Sequence, residues 1–427
     1  MYRQEKITQH LDWITVLIFA ACVFLGWANI FASVYNPEEQ RSIFDFSINS
    51  GKQLIWIGSS ILIIIIIMVM DFKFYEYFSY LLYGLLVVAL LATIIFARNI
   101  KGQTAWFELG SFRLQPSEFA KFATALALAK FLGGTHVKFS NFQTQLIAFG
   151  IIALPSFLIL LQNDTGSALV FGVFVLVLYR EGLSAWFLVI GLVAATVFML
   201  ALTVEKMYLL IAIALLAGVT VLLIRKKTWQ KLTIVAGVAI LIIGMVFSVD
   251  FVFNEVLQKH QKERILVLLD PEADKEIARG VGYNVIQSKI AIGSGGLIGK
   301  GFLQGTQTKF DFVPEQSTDF IFCTIGEEHG WIGGLVTIAL FMTLLFRLVF
   351  LAERQKDKFA RIYGYSVACI LFFHFLVNIG MTIGLMPVIG IPLPFFSYGG
   401  SSLWSFTILL FIFLKLDAHR MQVLTRS

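Results

Sequence analysis

The chain has 427 residues, of which 58% are hydrophobic and only 14% charged, with a formal net charge of +6. Soluble domains run at roughly 45–50% and about 25% for these two classes. A water-soluble enzyme and a nucleic-acid partner are therefore excluded, and a polytopic membrane protein is expected. The apolar runs are continuous rather than alternating, which selects spanning helices over a barrel, since a helix satisfies its own backbone groups in lipid.

The first element lies in "MYRQEKITQHLDWITVLIFAACVFLGWANIF". Its apolar run exceeds the about 7–15 residues of a cleavable signal core, so it reads as an uncleaved first span. Apolar stretches of about 17–25 residues bring the predicted total to twelve, centred near residues 24, 61, 86, 125, 153, 173, 194, 216, 241, 335, 373 and 409. Cys22, Cys323 and Cys369 fall within predicted spans and show neither metal nor disulfide spacing. Residues 1–427 are read as a single all-α membrane domain.

Alternating the spans from a cytoplasmic N-terminus tests the positive-inside rule. The inner ends then hold eighteen basic residues: Arg3, Lys6, Lys73, Lys130, Lys138, Arg180, Arg225, Lys226, Lys227, Lys231, Arg347, Arg354, Lys356, Lys358, Arg361, Lys415, Arg420 and Arg426. The short outer loops hold six: Arg41, Lys52, Arg98, Lys101, Arg113 and Lys206. Both termini are thus expected in the cytoplasm. One long outer loop, 251–318, has apolar residues throughout and is expected to fold back on the membrane domain, with an amphipathic segment near 283–292.

Ionisable groups at membrane depth are costly and mark candidate sites. Under this topology four clusters lie at the outer side. "QPSEFAKF" (115–122) opens the fourth span and sets Glu118 and Lys121 three apart on one face, so they can pair. A helix-capping ion pair explains them as well as a cavity wall with Gln115 beside it. "QNDTG" (162–166) carries Asp164 at an outer turn, where ordinary turn chemistry also accounts for it. "GSGGLIGKG" (293–301) is a glycine loop that could cradle an anion with Lys300, although its spacing is not that of a nucleotide-binding loop. It leads to "PEQSTDFIF", where Ser317 or Thr318 can cap a helix with Asp319 in its first turn and Glu315 four residues earlier. Glu327, Glu328 and His329 follow inside the same predicted span. The fourth cluster, "MPVIGIPLPFFSYGGSS" (386–402), has too many prolines and glycines for a continuous helix and reads as a re-entrant loop, with an ordinary outer connector as the alternative; it carries Ser397 and Ser401.

Together these stretches resemble the SEDS family (shape, elongation, division and sporulation). The residues that carry the resemblance are "LQPSEFAKF" at 114–122, "QNDTGSAL" at 162–169, "RILVLLDPEADKEIARGVGYNVIQSKIAIGSGGLIGKG" at 264–301, "GTQTKFDFVPEQSTDFIFCTIGEEHGWIGG" at 305–334 and "NIGMTIGLMPVIGIPLPFFSYGGSS" at 378–402. The run "GSGGLIGKGFLQGTQTKFDFVPE" is more similar to the elongation branch, typified by RodA, than to the division branch. The family usually has ten spans, so residues 204–250 are expected to be an inserted helix pair.

The resemblance implies a peptidoglycan glycosyltransferase that polymerises lipid II at the outer face of the cytoplasmic membrane, alongside a class B penicillin-binding protein. It makes Asp319 the essential acid. A base is needed for the attacking sugar hydroxyl and cations for the departing diphosphate. Asp319 is the expected base with Glu315 as its modulator, and Lys121 and Lys300 are the expected diphosphate ligands. Glu118, Gln115, Asp164, Ser397 and Ser401 are expected at the substrate. A divalent cation between carboxylates is compatible with this chemistry, but no ligand spacing requires one. A flippase for the same lipid-linked precursor is the alternative function.

Overall fold

A computed structural model describes residues 10–35, 44–100, 102–110, 112–135, 137–224, 228–257, 259–269, 281–309 and 312–420. Arg3, Lys6, Arg41, Lys101, Arg225, Lys226, Lys227 and Arg426 of the charge count lie outside these residues, as does 270–280 of the long loop.

All twelve predicted stretches are helical, but among the described residues only ten helices combine the length and apolarity to cross a membrane. The other two are Pro116–Gly133 and the stretch 165–180, which a 3-10 turn interrupts at Phe171–Val173. Pro116–Gly133 carries Glu118, Lys121 and Lys130, yet nearly all of it is buried. A helix packed on every side faces protein rather than lipid, so it need not be apolar all round. With Lys358–Thr382 and Gly400–Ala418, whose apolar windows are 72% and 89% buried, it forms the centre of the bundle.

The expected helix pair in 204–250 appears as Lys206–Leu223 and Trp229–Phe251. These helices pack on each other and on Trp186–Thr203 around a small core of Val197, Leu209 and Val246, separate from the main one. Only 6% of the window in each of these three helices is buried, as expected of a lipid-facing flank.

The described parts of the 251–318 loop hold helices Lys259–Leu269, Val281–Gly295 and Thr306–Lys309. Val281–Gly295 lies against the start of Ile321–Glu353. That long helix breaks at Gly330, which sits at φ 64° and ψ −159°, so Glu327, Glu328 and His329 belong to a short first segment. A side chain on Gly330 would also overlap the backbone of Leu297 and Gly299. Gly330→Ala is therefore expected to destabilise the protein, with about 1–3 kcal/mol from backbone strain alone. An unchanged unfolding temperature in detergent would contradict this account of the break.

The stretch between Thr382 and Gly400 is irregular and buried, with Phe396 fully buried and Leu393 at 1% exposure. Side chains of the surrounding helices satisfy its backbone. Asn378 Nδ2 donates to Ile391 O at 2.8 Å, His374 Nδ1 contacts Pro392 O at 3.0 Å, and Arg264 Nη1 donates to Ile389 O at 3.0 Å. Non-helical backbone at membrane depth persists only with such partners.

At one end of the bundle Arg347 pairs with Asp12, Arg354 with Asp417, Arg361 with Glu181, and Lys130 with Glu76. Lys130 lies in the last turn of the helix that Glu118 opens, which separates the two ends by about 18 Å at 1.5 Å per residue.

Candidate active site

Several separate parts of the chain build one cavity of 790 Å³. The start of Pro116–Gly133 contributes Gln115 and Glu118, the turn before Thr165 contributes Asp164, the approach to Ile321 contributes Glu315 and Asp319, the irregular loop contributes Gly390 and Tyr398, and the start of Gly400–Ala418 contributes Ser401. The hairpin Phe107–Leu109 and Phe112–Leu114 adds Glu108 and Arg113.

Asp319 does not sit in a helical first turn. The helix starts at Ile321 without a side-chain cap, and residues 314–320 form turns. The expected caps are engaged elsewhere: Thr318 Oγ1 donates to Glu315 Oε2 at 2.8 Å, and Ser317 Oγ accepts from Asn49 Nδ2 at 3.2 Å. Asn378 fixes the turn by donating to Asp319 O at 2.8 Å while its amide also holds Ile391 O. The Asp319 carboxylate lies over Gly390, where a Cβ would stand 3.2 Å from Oδ2. Gly390, at φ 77°, thus permits the close approach of acid and loop.

Asp164 caps the following helix, accepting from Ser167 N at 3.1 Å and from Gln115 Nε2 at 3.0 Å. Ser401 Oγ accepts from Gln115 N at 3.2 Å and donates to Arg113 O at 3.1 Å, so these three residues knit the wall together. Among the described residues no group of three or more His, Cys, Asp or Glu side chains is placed to hold a metal ion.

Three expected substrate contacts lie off the cavity wall. Ser397 is buried, accepting from Leu393 N at 2.8 Å and donating to Thr318 O at 2.6 Å, so it ties the irregular loop to the Asp319 turn. Lys121 is 1% exposed, behind Glu118. Its Nζ donates to Glu118 Oε2 at 2.8 Å, lies 3.0 Å from His374 Nε2 and stands over the Phe406 ring. A lysine ammonium can only donate, so Nε2 accepts and Nδ1–H donates to Pro392 O. Lys121 therefore positions Glu118 rather than facing a ligand.

Lys300 is the third. Its Nζ reaches Glu327 Oε1 at 2.6 Å and Thr306 Oγ1 at 2.8 Å. The same carboxylate accepts from Gln307 N at 2.8 Å, Thr308 N at 2.9 Å and Thr308 Oγ1 at 3.0 Å. The chain's own Glu327 is thus held by Lys300 and the Thr306–Lys309 turn, and the backbone N–H groups of Lys300 and Gly301 in the glycine-rich loop are spent on carbonyls rather than on an anion. The glycines serve close backbone packing, with Lys300 N and Gly301 N donating to Glu327 O and Glu328 O.

Lys52 and Arg264 line the cavity and were not singled out in the sequence, nor was Asn378 behind it. Their signals were present. Lys52 stood among the few outer basic residues, Arg264 opened a motif of the resemblance, and Asn378 is a lone amide in an apolar span.

Residues 12–215 and 209–422 match the FtsW/RodA/SpoVE family of cell cycle proteins. The chain is 33% identical over 371 residues to the peptidoglycan glycosyltransferase MrdB of Escherichia coli strain K12, covering 87% of this chain and 86% of that protein. It is 30% identical over 440 residues to the peptidoglycan glycosyltransferase RodA of Treponema pallidum strain Nichols, with coverages of 96% and 98%. A chain from a solved peptidoglycan synthase complex is similar with a TM-score of 0.69 and 28% identity, covering 96% of this chain and 99% of that one. The rod shape determining protein RodA of Thermus thermophilus gives a TM-score of 0.61 at 25% identity, with coverages of 96% and 97%.

Proposed function

Because the chain belongs to the FtsW/RodA/SpoVE family of cell cycle proteins, a SEDS protein close to RodA, we propose that the 790 Å³ cavity is where it polymerises lipid II, with Asp319 as general base. The chain is a peptidoglycan glycosyltransferase of cell elongation and a multi-pass protein of the bacterial inner membrane. The observation that carries the site assignment is the convergence of Asp319, Glu315, Glu118 and Asp164, from distant parts of the sequence, on one cavity.

In this reading the acceptor sugar 4-hydroxyl gives its proton to Asp319 as it attacks C1 of the donor. Glu315, whose carboxylate is fixed by Thr318, modulates the base from the same turn. Glu118, held by Lys121, and Gln115, Asp164 and Ser401 line the same cavity. The cavity faces outward and both termini lie in the cytoplasm, a sidedness supported by the excess of basic residues at the other end. Residues 204–250 are an addition to a ten-span core, a reading supported by the two family matches overlapping at 209–215, inside that pair. A class B penicillin-binding protein is the proposed partner, in keeping with a structural neighbour drawn from a peptidoglycan synthase complex. The flippase alternative is not favoured, since relatives across most of the chain are named glycosyltransferases.

The test is to purify the protein, supply lipid II and resolve the products on a gel. Polymer from wild type and none from Asp319→Ala is the expected result. If wild type makes no polymer even with its partner, while labelled lipid crosses vesicles, the proposal is overturned.

A further inference from the structure

We infer that Arg264, assisted by Lys52, forms the subsite for the diphosphate of the lipid-linked donor. This rests on the polymerase reading above and assigns a role for which the sequence offered Lys121 and Lys300. Displacement at a sugar C1 places new negative charge on the departing diphosphate, and a cation or N–H donor must meet it. Both sequence candidates are consumed: Lys121 lies behind the wall on Glu118 and His374, and Lys300 is bound to Glu327.

Among the described residues, the Lys and Arg side chains that line the cavity are Lys52, Arg113 and Arg264. Arg113 is already paired with Glu108 at 3.3 Å, and its side chain is 57% exposed. Arg264 differs in two respects. Its Nη1 is anchored on Ile389 O at 3.0 Å, one residue from the Gly390 over which Asp319 lies. The guanidinium and the base are thus set by adjacent peptide units of one loop. One bond to a carbonyl leaves four of its five N–H donors, in a planar fork that suits a phosphate. Lys52 is held between two parts of the same site. Asn49 on its helix donates to Ser317 Oγ at 3.2 Å, and Gln53 Oε1 accepts from Gly399 N at 3.3 Å. No ion pair engages Lys52 among the described residues.

In the step that follows, the acceptor oxygen bonds to C1 as the bond from C1 to the diphosphate oxygen breaks. The hydroxyl proton passes to Asp319, and the bonding pair leaves on the diphosphate, where Arg264 and Lys52 stabilise it. Arg264 is a catalytic residue in this scheme, and Lys52 completes the charge.

The experiment measures initial rates of lipid II polymerisation by the full chain, and their inhibition by three probes: undecaprenyl diphosphate, undecaprenyl monophosphate and inorganic pyrophosphate. Arg264→Ala is expected to lower kcat about 10²–10³-fold, the cost of losing one preorganised donor. It should also raise the half-inhibitory undecaprenyl diphosphate concentration at least about tenfold while leaving weak monophosphate inhibition unmoved. Arg264→Lys and Lys52→Gln should fall between these values and wild type, and they decide the matter should Arg264→Ala fail to fold. Wild-type turnover and wild-type inhibition in these variants overturn the assignment. So does inorganic pyrophosphate competing as well as the lipid-linked form, which would make this a site for free anions. Asp319→Asn separates the two readings. It should retain wild-type binding of undecaprenyl diphosphate without polymerising. Polymerisation by Asp319→Asn removes the base but leaves the inhibition data to judge Arg264.

Discussion

Asp319→Asn is expected to reduce glycan polymerisation about 10²–10⁴-fold, the usual range for loss of a general base, with little change in KM. The amide keeps the shape that fits over Gly390, and the backbone carbonyl that Asn378 holds is untouched. Binding geometry and stability should therefore survive while proton acceptance is lost. Asp319→Glu is the sharper control. It restores a carboxylate but moves it by one methylene, in a turn whose position is pinned by the Ser397 bond to Thr318 O. It should recover part of the rate at most. Turnover above a tenth of wild type in the asparagine variant would remove Asp319 from proton transfer, whatever the glutamate variant does.

Glu327→Ala should cost about 3–5 kcal/mol of stability, the range for removing one partner of a buried ion pair. The Glu327 side chain is fully buried, and the ammonium of Lys300 with the N–H groups of Gln307 and Thr308 would lose their acceptor together. Lys300→Met should cost less, because the lysine is 25% exposed and removing it still leaves the backbone donors on the carboxylate. The double variant should be less destabilised than the sum of the two, since each single change strands the other's charge. Unfolding in detergent gives these differences, and lipid II titration of the folded variants gives KM. A large rise in KM with unchanged stability would return this loop to the role of a phosphate cradle.

The membrane class, the helical stretches and the sequence positions of the polar clusters were legible from hydropathy and spacing alone. An apolar run of spanning length has few options in lipid, and a carboxylate inside one stands out by its cost. The same local rules did not show why Pro116–Gly133 can carry charges, because the burial that excuses them comes from packing against Lys358–Thr382 and Gly400–Ala418, far along the chain. They also put Asp319 inside a helix, since "STDF" is good capping sequence. Asn49, Asn378, the Ser33 carbonyl that Gln316 reaches and the irregular loop, all distant in sequence, help hold it in a turn.

The sequence by itself determined which residue types were available: a base candidate beside a modulating glutamate, lysines near glycines, a proline-rich break between two spans. The tertiary structure decided which charges satisfy each other and which are left to a substrate. Lys121 and Lys300 looked available because their partners His374 and Glu327 are 253 and 27 residues away. Arg264 looked ordinary because the carbonyl that aims it belongs to Ile389, 125 residues on. Local spacing shows the Glu118–Lys121 pair, but the Lys300–Glu327 pair and the Arg264 anchor are made only through space.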